Sequence, residues 1–286
     1  MANSPDNTLA QLLNKPLPPI PADIREAINM AEITLTDFED KNEILTNPQL
    51  QLEVGYRADG KGNFLVSMTC PMPGITTDMI EWWFWWHVQD ELRYRIWFPG
   101  AHFGTSYRKS QRDYFEQPSR PPFSDNTQYP IESVGTMKSA LQIDFVTPEE
   151  FGFSREAMEA GGIPLIVCGH VGMKHLFKHT EMAHIFRQAP NGLQMFSRFW
   201  MGNPLRMKWL KRRFITAETA RSMAEHCCVE YRNLASILPG LYREYAGNNQ
   251  TPAGNQLETV IEAMMKWGLG SCCLVFAIVQ MRSSSC

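Results

Sequence analysis

No CxxC pair occurs in the sequence, which removes the usual thiolate zinc site. The 7 cysteines are odd in number, and four of them form the neighbours Cys227-Cys228 and Cys272-Cys273. Adjacent cysteines rarely bridge each other, and no secretory pattern opens the chain. Reduced thiols in a cytoplasmic protein are therefore expected. A glycine-rich phosphate loop is missing, as is a GxSxG nucleophile elbow, and no internal repeat is found. The C-terminal run Cys272 to Met281 is apolar but too short to span a bilayer. A buried or partner-covered strand or helix is expected there, and a homodimer is admitted. The net charge of -3, with no basic run or stacking motif, argues against nucleic acid or an anionic membrane as partner.

What is present is a chain of 286 residues, 44% hydrophobic and 20% charged, with 8 Trp. That suffices for one large domain, or one domain plus a smaller part. Residues 1–22 are polar and then proline-rich, which predicts an extended arm, and 1–48 is taken as an N-terminal arm with a short helical segment. From Gln49 the texture becomes alternating. Val54, Tyr56 and then Phe64, Val66, Met68 flank Asp59-Gly60-Lys61-Gly62, a hairpin. The run Trp82-Trp83-Phe84-Trp85-Trp86 cannot place all its rings on one side, so its element must be covered on most of its surface. Leu92, Tyr94, Ile96 and Phe98 alternate with other residues and predict a strand. A long polar loop is expected over 108–130, with strands at Ile131 to Val134, Leu141 to Val146 and Ile163 to Val171. Phe151 to Ala160 predicts a short helix. Asn191-Gly192 between two apolar runs predicts a second hairpin. A long helix follows from Thr216 to Leu238, ended by Pro239-Gly240. The order predicts an α+β fold: a curved antiparallel sheet gripping a long C-terminal helix over 49–250, with a ligand cavity between them. Residues 251–286 add a C-terminal helix, Leu257 to Trp267, and the apolar tail.

His226 and Glu230 stand four apart on the long helix, so both side chains lie on one face and can reach one metal ion. The same spacing also suits a surface pair. A metal site needs further ligands from the sheet. His102 lies between Gly100 and Gly104, and Glu132 begins the strand after the polar loop. Two His and two Glu form a borderline-hard set suited to zinc, with iron or manganese as alternatives. With one coordination position open to water, the metal lowers that water's pKa towards neutrality. A rival cluster is richer in imidazole: His170, His175, His179 and His184. On a strand, His175 and His179 stand about 13 Å apart, which favours structural roles for them.

Several blocks occur in order: Trp82-Trp83-Phe84-Trp85-Trp86-His87, Arg93 to Pro99 with Ala101-His102, Ser197 to Gly202, and His226-Cys227-Cys228-Val229-Glu230. Together they resemble the 2,4-diacetylphloroglucinol hydrolase / phloretin hydrolase family, over roughly residues 75–246. The resemblance implies a zinc-dependent hydrolase that cuts a carbon–carbon bond between an acyl group and a phenolic ring. It also implies a Bet v 1-like helix-grip domain with a smaller N-terminal part. Carried over, the zinc ligands fall on His102, Glu132, His226 and Glu230, with Glu116 as competitor of Glu132. Tyr94 matches a pocket tyrosine that binds the acyl oxygen, and Thr105 stands near the place of a pocket asparagine. Trp86 is the ring of the aromatic run expected to touch substrate. A group that moves the ring proton is also required, either His87 or a glutamate near the metal. The expected partner is a small aromatic or polyketide molecule. Two other functions fit the same scaffold: a metal-dependent isomerase, aldolase or cyclase, and a non-catalytic small-molecule carrier.

Overall fold

Hairpins set the topology. β1 (Gly55–Ala58) and β2 (Phe64–Pro73) pair antiparallel around the expected glycine-rich turn. β8 (Phe177–Ala189) and β9 (Gly192–Met201) pair around Pro190-Asn191. Gly192 has φ +141°, and a Cβ there would lie 2.5 Å from the Met72 carbonyl oxygen, so the turn needs glycine. Five further strands are β3 (His102–Gly104), β4 (Asn126–Gln128), β5 (Ile131–Val134), β6 (Met137–Val146) and β7 (Leu165–Met173). They join in the order β1-β2-β9-β8-β7-β6-β5-β3, all antiparallel, and β4 adds to β6. The computed structural model describes residues 5–123 and 125–247, with side chains from residue 9 onward. The expected elements at 257–267 and 272–281 lie outside the described residues.

Strand alternation gives the sheet two covered faces. On one face, Met182, Phe199, Phe145 and Val167 are buried together with Tyr231, Leu234 and Leu238 of the helix Ala217–Tyr245. On the other, Ile166, Cys168, Ile185 and Phe196 form a second core with Ile44, Leu45, Phe151 and Phe153. The aromatic run lies on a helix, Thr77–Trp86, whose N-cap Thr76 accepts the Met79 N–H. All five rings are buried. The α+β architecture and the long helix agree with expectation. No described helix is long and apolar enough to cross a membrane.

Four local expectations are corrected. Residues 1–22 are not a plain extended arm: a helix spans Pro5–Leu12, and Leu9 is buried in the main core. The segment expected as a strand around Tyr94 is instead a helix, Glu91–Arg95. Asp90 caps it, its carboxylate accepting the N–H groups of Leu92 and Arg93, and this local cap outweighs the alternation. Pro239 lies inside the long helix and does not end it. Leu238 and Leu241 are both buried, so packing holds the turns on either side. Last, five cations do fall within Arg206 to Arg213, and a helix, Lys208–Phe214, carries most of them with Trp209 exposed.

Candidate metal centre

Two strands and one helix deliver the candidate ligands. His102 opens β3 directly after the turn at Gly100, where φ is +88°. Glu132 lies opposite His102 in the β3–β5 pairing, which puts the two side chains side by side. His226 and Glu230 lie on the inward face of the long helix. His102 Nδ1 faces the Tyr94 carbonyl at 3.3 Å, and His226 Nδ1 faces the Ser133 carbonyl at 3.1 Å. Each ring therefore keeps its proton on Nδ1 and aims an Nε2 lone pair inward. The two Nε2 atoms are 3.3 Å apart. His102 Nε2 lies 3.6 Å from Glu132 and 3.7 Å from Glu230, and His226 Nε2 lies 3.9 Å from Glu230. Ligands on one tetrahedral zinc, at about 2.0–2.1 Å each, stand about 3.3 Å from one another. His102, Glu132 and His226, with ligand atoms within 4.8 Å of one another, are thus close to the spacing that a shared cation requires, and Glu230 stands beside them.

Electrostatics point the same way. Two lone pairs facing each other repel, and no proton is available to lie between them while both Nδ1 atoms donate to carbonyls. Burial, and then His226 beside it, hold His102 well below the usual imidazole range; burial lowers His226 too. Burial and the neighbouring Glu132 push Glu230 well above the carboxylate range. A divalent cation relieves each of these strains.

Tyr94 holds two of the candidate ligands in place. Its ring stacks on His102 at 4.2 Å with an interplanar angle of 4°. Its hydroxyl donates to Glu132 Oε2 at 2.6 Å, and its carbonyl receives His102 Nδ1–H. Asn233, buried one turn past Glu230, donates to the carbonyls of Ile96 (3.1 Å) and Trp97 (2.8 Å). It ties the helix that carries two ligands to the segment that leads into His102.

The cluster opens into a cavity of about 130 Å³ between sheet and helix. That is far above the roughly 10–15 Å³ one water needs. His87, Tyr94, Gln128, Glu132, His226 and Glu230 are among its lining residues. His87 donates from Nδ1 to the Trp83 carbonyl at 2.6 Å, and burial pulls its pKa to about 4, so it is neutral at pH 7. Trp86 and Thr105 lie elsewhere. Trp86 stacks on Trp82 and carries the Arg93 guanidinium over its ring. Thr105 is buried, and its hydroxyl has no hydrogen-bond partner among the described residues. Glu116 accepts from Tyr107 and Arg112 near the surface, away from the cluster. Of the rival histidines, His170 binds Glu181 and His175 occupies a turn with φ +61°, while His179 and His184 line the cavity without converging on a common point. Asn233 and Gln128 are absent from the sequence reading. Neither carries a sequence signal: Asn233 lies between Arg232 and Ser236 on a mixed stretch, and Gln128 lies in the polar segment 108–130.

A family profile described as "DAPG hydrolase PhiG domain" matches residues 35–243. The 2,4-diacetylphloroglucinol hydrolase of Pseudomonas protegens is 32% identical over 251 residues, covering 78% of this chain and 77% of that protein. Phloretin hydrolase of Eubacterium ramulus is 29% identical over 244 residues, covering 80% of this chain and 86% of that protein. Among solved structures, a protein from Mycobacterium smegmatis aligns over 65% of this chain and 98% of that one, at 8% identity and a TM-score of 0.35. That likeness carries no argument.

Proposed function

The chain belongs to the DAPG hydrolase family, and from that premise we propose that it is a zinc-dependent hydrolase of acylated phenols. In this reading it cleaves the carbon–carbon bond between an acyl group and a polyhydroxylated ring, a retro-Claisen reaction. Water is added across that bond: the acyl carbon gains hydroxyl and leaves as a carboxylic acid, and the ring carbon gains hydrogen. The observation that carries the reading is the grouping of His102, Glu132 and His226, whose ligand atoms lie within 4.8 Å of one another, with Glu230 beside them at the wall of a largely apolar cavity. The donor set, two imidazole nitrogens and two carboxylates, suits zinc, and the spacing fits a single ion. We also read the sheet-and-helix arrangement as a Bet v 1-like helix grip.

A bound zinc polarises a carbonyl and brings a water's ionisation towards neutral pH. The chain's own residues do the rest. Carbonyl contacts at Nδ1 hold both imidazoles in the ligand tautomer. Tyr94 stays a neutral donor, because burial and Glu132 raise its pKa. His87, at about 4, is a weak base on the cavity wall, with the Gln128 side chain beside it. The ring proton is moved by His87 or by a glutamate near the metal. Apolar walls keep bulk water from the departing ring.

Elemental analysis of the purified protein and of His226→Ala/Glu230→Ala tests the site. About one zinc per chain, lost in the variant, is expected. Incubation with acylphloroglucinols should release carboxylic acid. A rearranged product without acid would give the isomerase reading instead, and zinc retained by the variant would sink this assignment.

A further inference from the structure

The short helix Lys208–Phe214 divides its residues by face. At about 100° per residue, Leu210, Phe214 and Lys211 fall within an arc of about 100°, and Lys208, Arg212, Trp209 and Arg213 fill an arc of about 140° opposite. The first set faces the protein. Leu210 is buried, Phe214 packs on Phe177 of β8 at 5.8 Å, and Lys211 donates to Asn63 in the β1–β2 turn. The second set is exposed, together with Arg206 and Met207 just before it. Among the large apolar side chains of the described residues, Trp209 at 65% exposure is exceeded by Leu176 alone, at 74%. Leu176 stands next to Phe177 in the β7–β8 turn. The lead into the helix is tied to the same end of β8, where the Gly202 N–H donates to the His179 carbonyl at 2.6 Å. Leu176, Met207 and Trp209 therefore share one end of the sheet.

Charge at this end departs from the chain average. Arg206, Lys208, Arg212 and Arg213 form no ion pair among the described residues. Lys61 and Lys174 are exposed on the neighbouring turns. The acidic groups at hand are Asp59, which accepts the N–H groups of Lys61 and Asn63 in its own turn, and Glu218 in the first turn of the long helix. Screening confines an exposed charge to about 8–10 Å, so a surface brought up to this end meets the local surplus of cations and not the net charge of -3.

We propose that this end of the molecule docks on the surface of an anionic lipid bilayer. Trp209 lies at the headgroup level, Met207 and Leu176 reach the acyl boundary, and Arg206, Lys208, Arg212 and Arg213 meet lipid phosphates. Two other occupants fit less well. A single-stranded nucleic acid stacks its bases on planar rings and leaves Leu176 and Met207 without a partner. A second copy of the chain, docked patch to patch, sets like charges against each other. A helix of 7 residues lies on a membrane and does not cross it. Phe214 is also part of the cavity wall, so docking holds that wall within about one helix diameter, roughly 10 Å, of the lipid. Docking requires no particular reaction and stands or falls apart from the hydrolase reading.

The test is co-sedimentation of the full chain with large unilamellar vesicles at about 0.1 M salt. One preparation is phosphatidylcholine alone, and the other has about a third of it replaced by phosphatidylglycerol. Binding to the anionic vesicles should exceed binding to the neutral ones at least ten-fold, and should be lost at about 1 M salt. Each cation near the surface is worth about five-fold, so Arg212→Gln/Arg213→Gln should lower partitioning about twenty-five-fold. Trp209→Ser should lower it at least five-fold. Arg206→Gln/Lys208→Gln repeats the charge test at two other exposed positions, for the case in which circular dichroism shows the first variant misfolded. No sedimentation with anionic vesicles overturns the proposal. So does equal binding to both preparations that the variants leave unchanged, which would place attachment in another apolar segment, such as the run Cys272 to Met281. Binding of polyuridylate, abolished in the arginine variant and without any binding of vesicles, overturns it in favour of RNA.

Discussion

At the scale of single residues, Tyr94 does more than its sequence suggests. It stacks on one ligand, donates to another and accepts from the first through its backbone. Tyr94→Phe keeps the stack and the carbonyl but removes the donor to Glu132. The expected result is a metal affinity lower by about ten- to a hundred-fold with an unchanged circular dichroism spectrum, read by chelator competition. An affinity equal to that of the unaltered protein would remove Tyr94 from the site's support. Legibility at this scale follows periodicity. His226 and Glu230 are visible as a pair because a helix fixes what four residues mean. His102 and Glu132 stand thirty apart, and only strand register makes them neighbours. Their places beside glycines and at a strand start nominate each one, and the family resemblance joins them into one set.

At the scale of elements, the long hairpins and the C-terminal helix were legible, since strong alternation and an Asn-Gly turn say the same thing. The segment at Tyr94 misled because five residues are too few for a period to decide. There the Asp90 cap decides, together with Arg93, whose guanidinium lies over Trp86. Pro239 misled because a proline signals a stop only where packing does not hold the helix. Asn233 shows what joins one element to another. Asn233→Leu is isosteric enough to fill its space but leaves the carbonyls of Ile96 and Trp97 without their donor. A loss of about 2–3 kcal/mol in urea unfolding is expected. The same variant should bind metal more weakly, because the lead into His102 is no longer tied to the long helix. A loss below about 0.5 kcal/mol would show that water replaces the amide.

At the scale of the whole molecule, buried imidazoles set the response to acid. Burial holds His87 and His179 at about 4 and His184 at about 3. Unfolded, each returns to about 6.5 and binds a proton that the folded chain refuses. Their folded pKa values are depressed, so stability is whole above pH 6.5 and falls as pH drops towards 4. The slope is about 1.4 kcal/mol per pH unit for each histidine. Urea midpoints between pH 7.5 and 4.5 should show this, and His179→Gln should flatten the slope by about 1.4 kcal/mol per pH unit. A pH-independent midpoint would mean that these rings are protonated in place. A metal bound as proposed would act on the same balance. At a free zinc concentration a hundred times Kd, stability rises by about 2.7 kcal/mol, so chelation should lower Tm by several degrees. The spread of the ligands along the chain, at positions 102, 132, 226 and 230, also orders events in time. A growing chain exposes His102 and Glu132 first, and at ordinary rates of synthesis the ribosome needs about 5–20 s more to reach His226. Until then the candidate half-site has no helix to complete it, so ion capture, in the proposed reading, waits for the long helix.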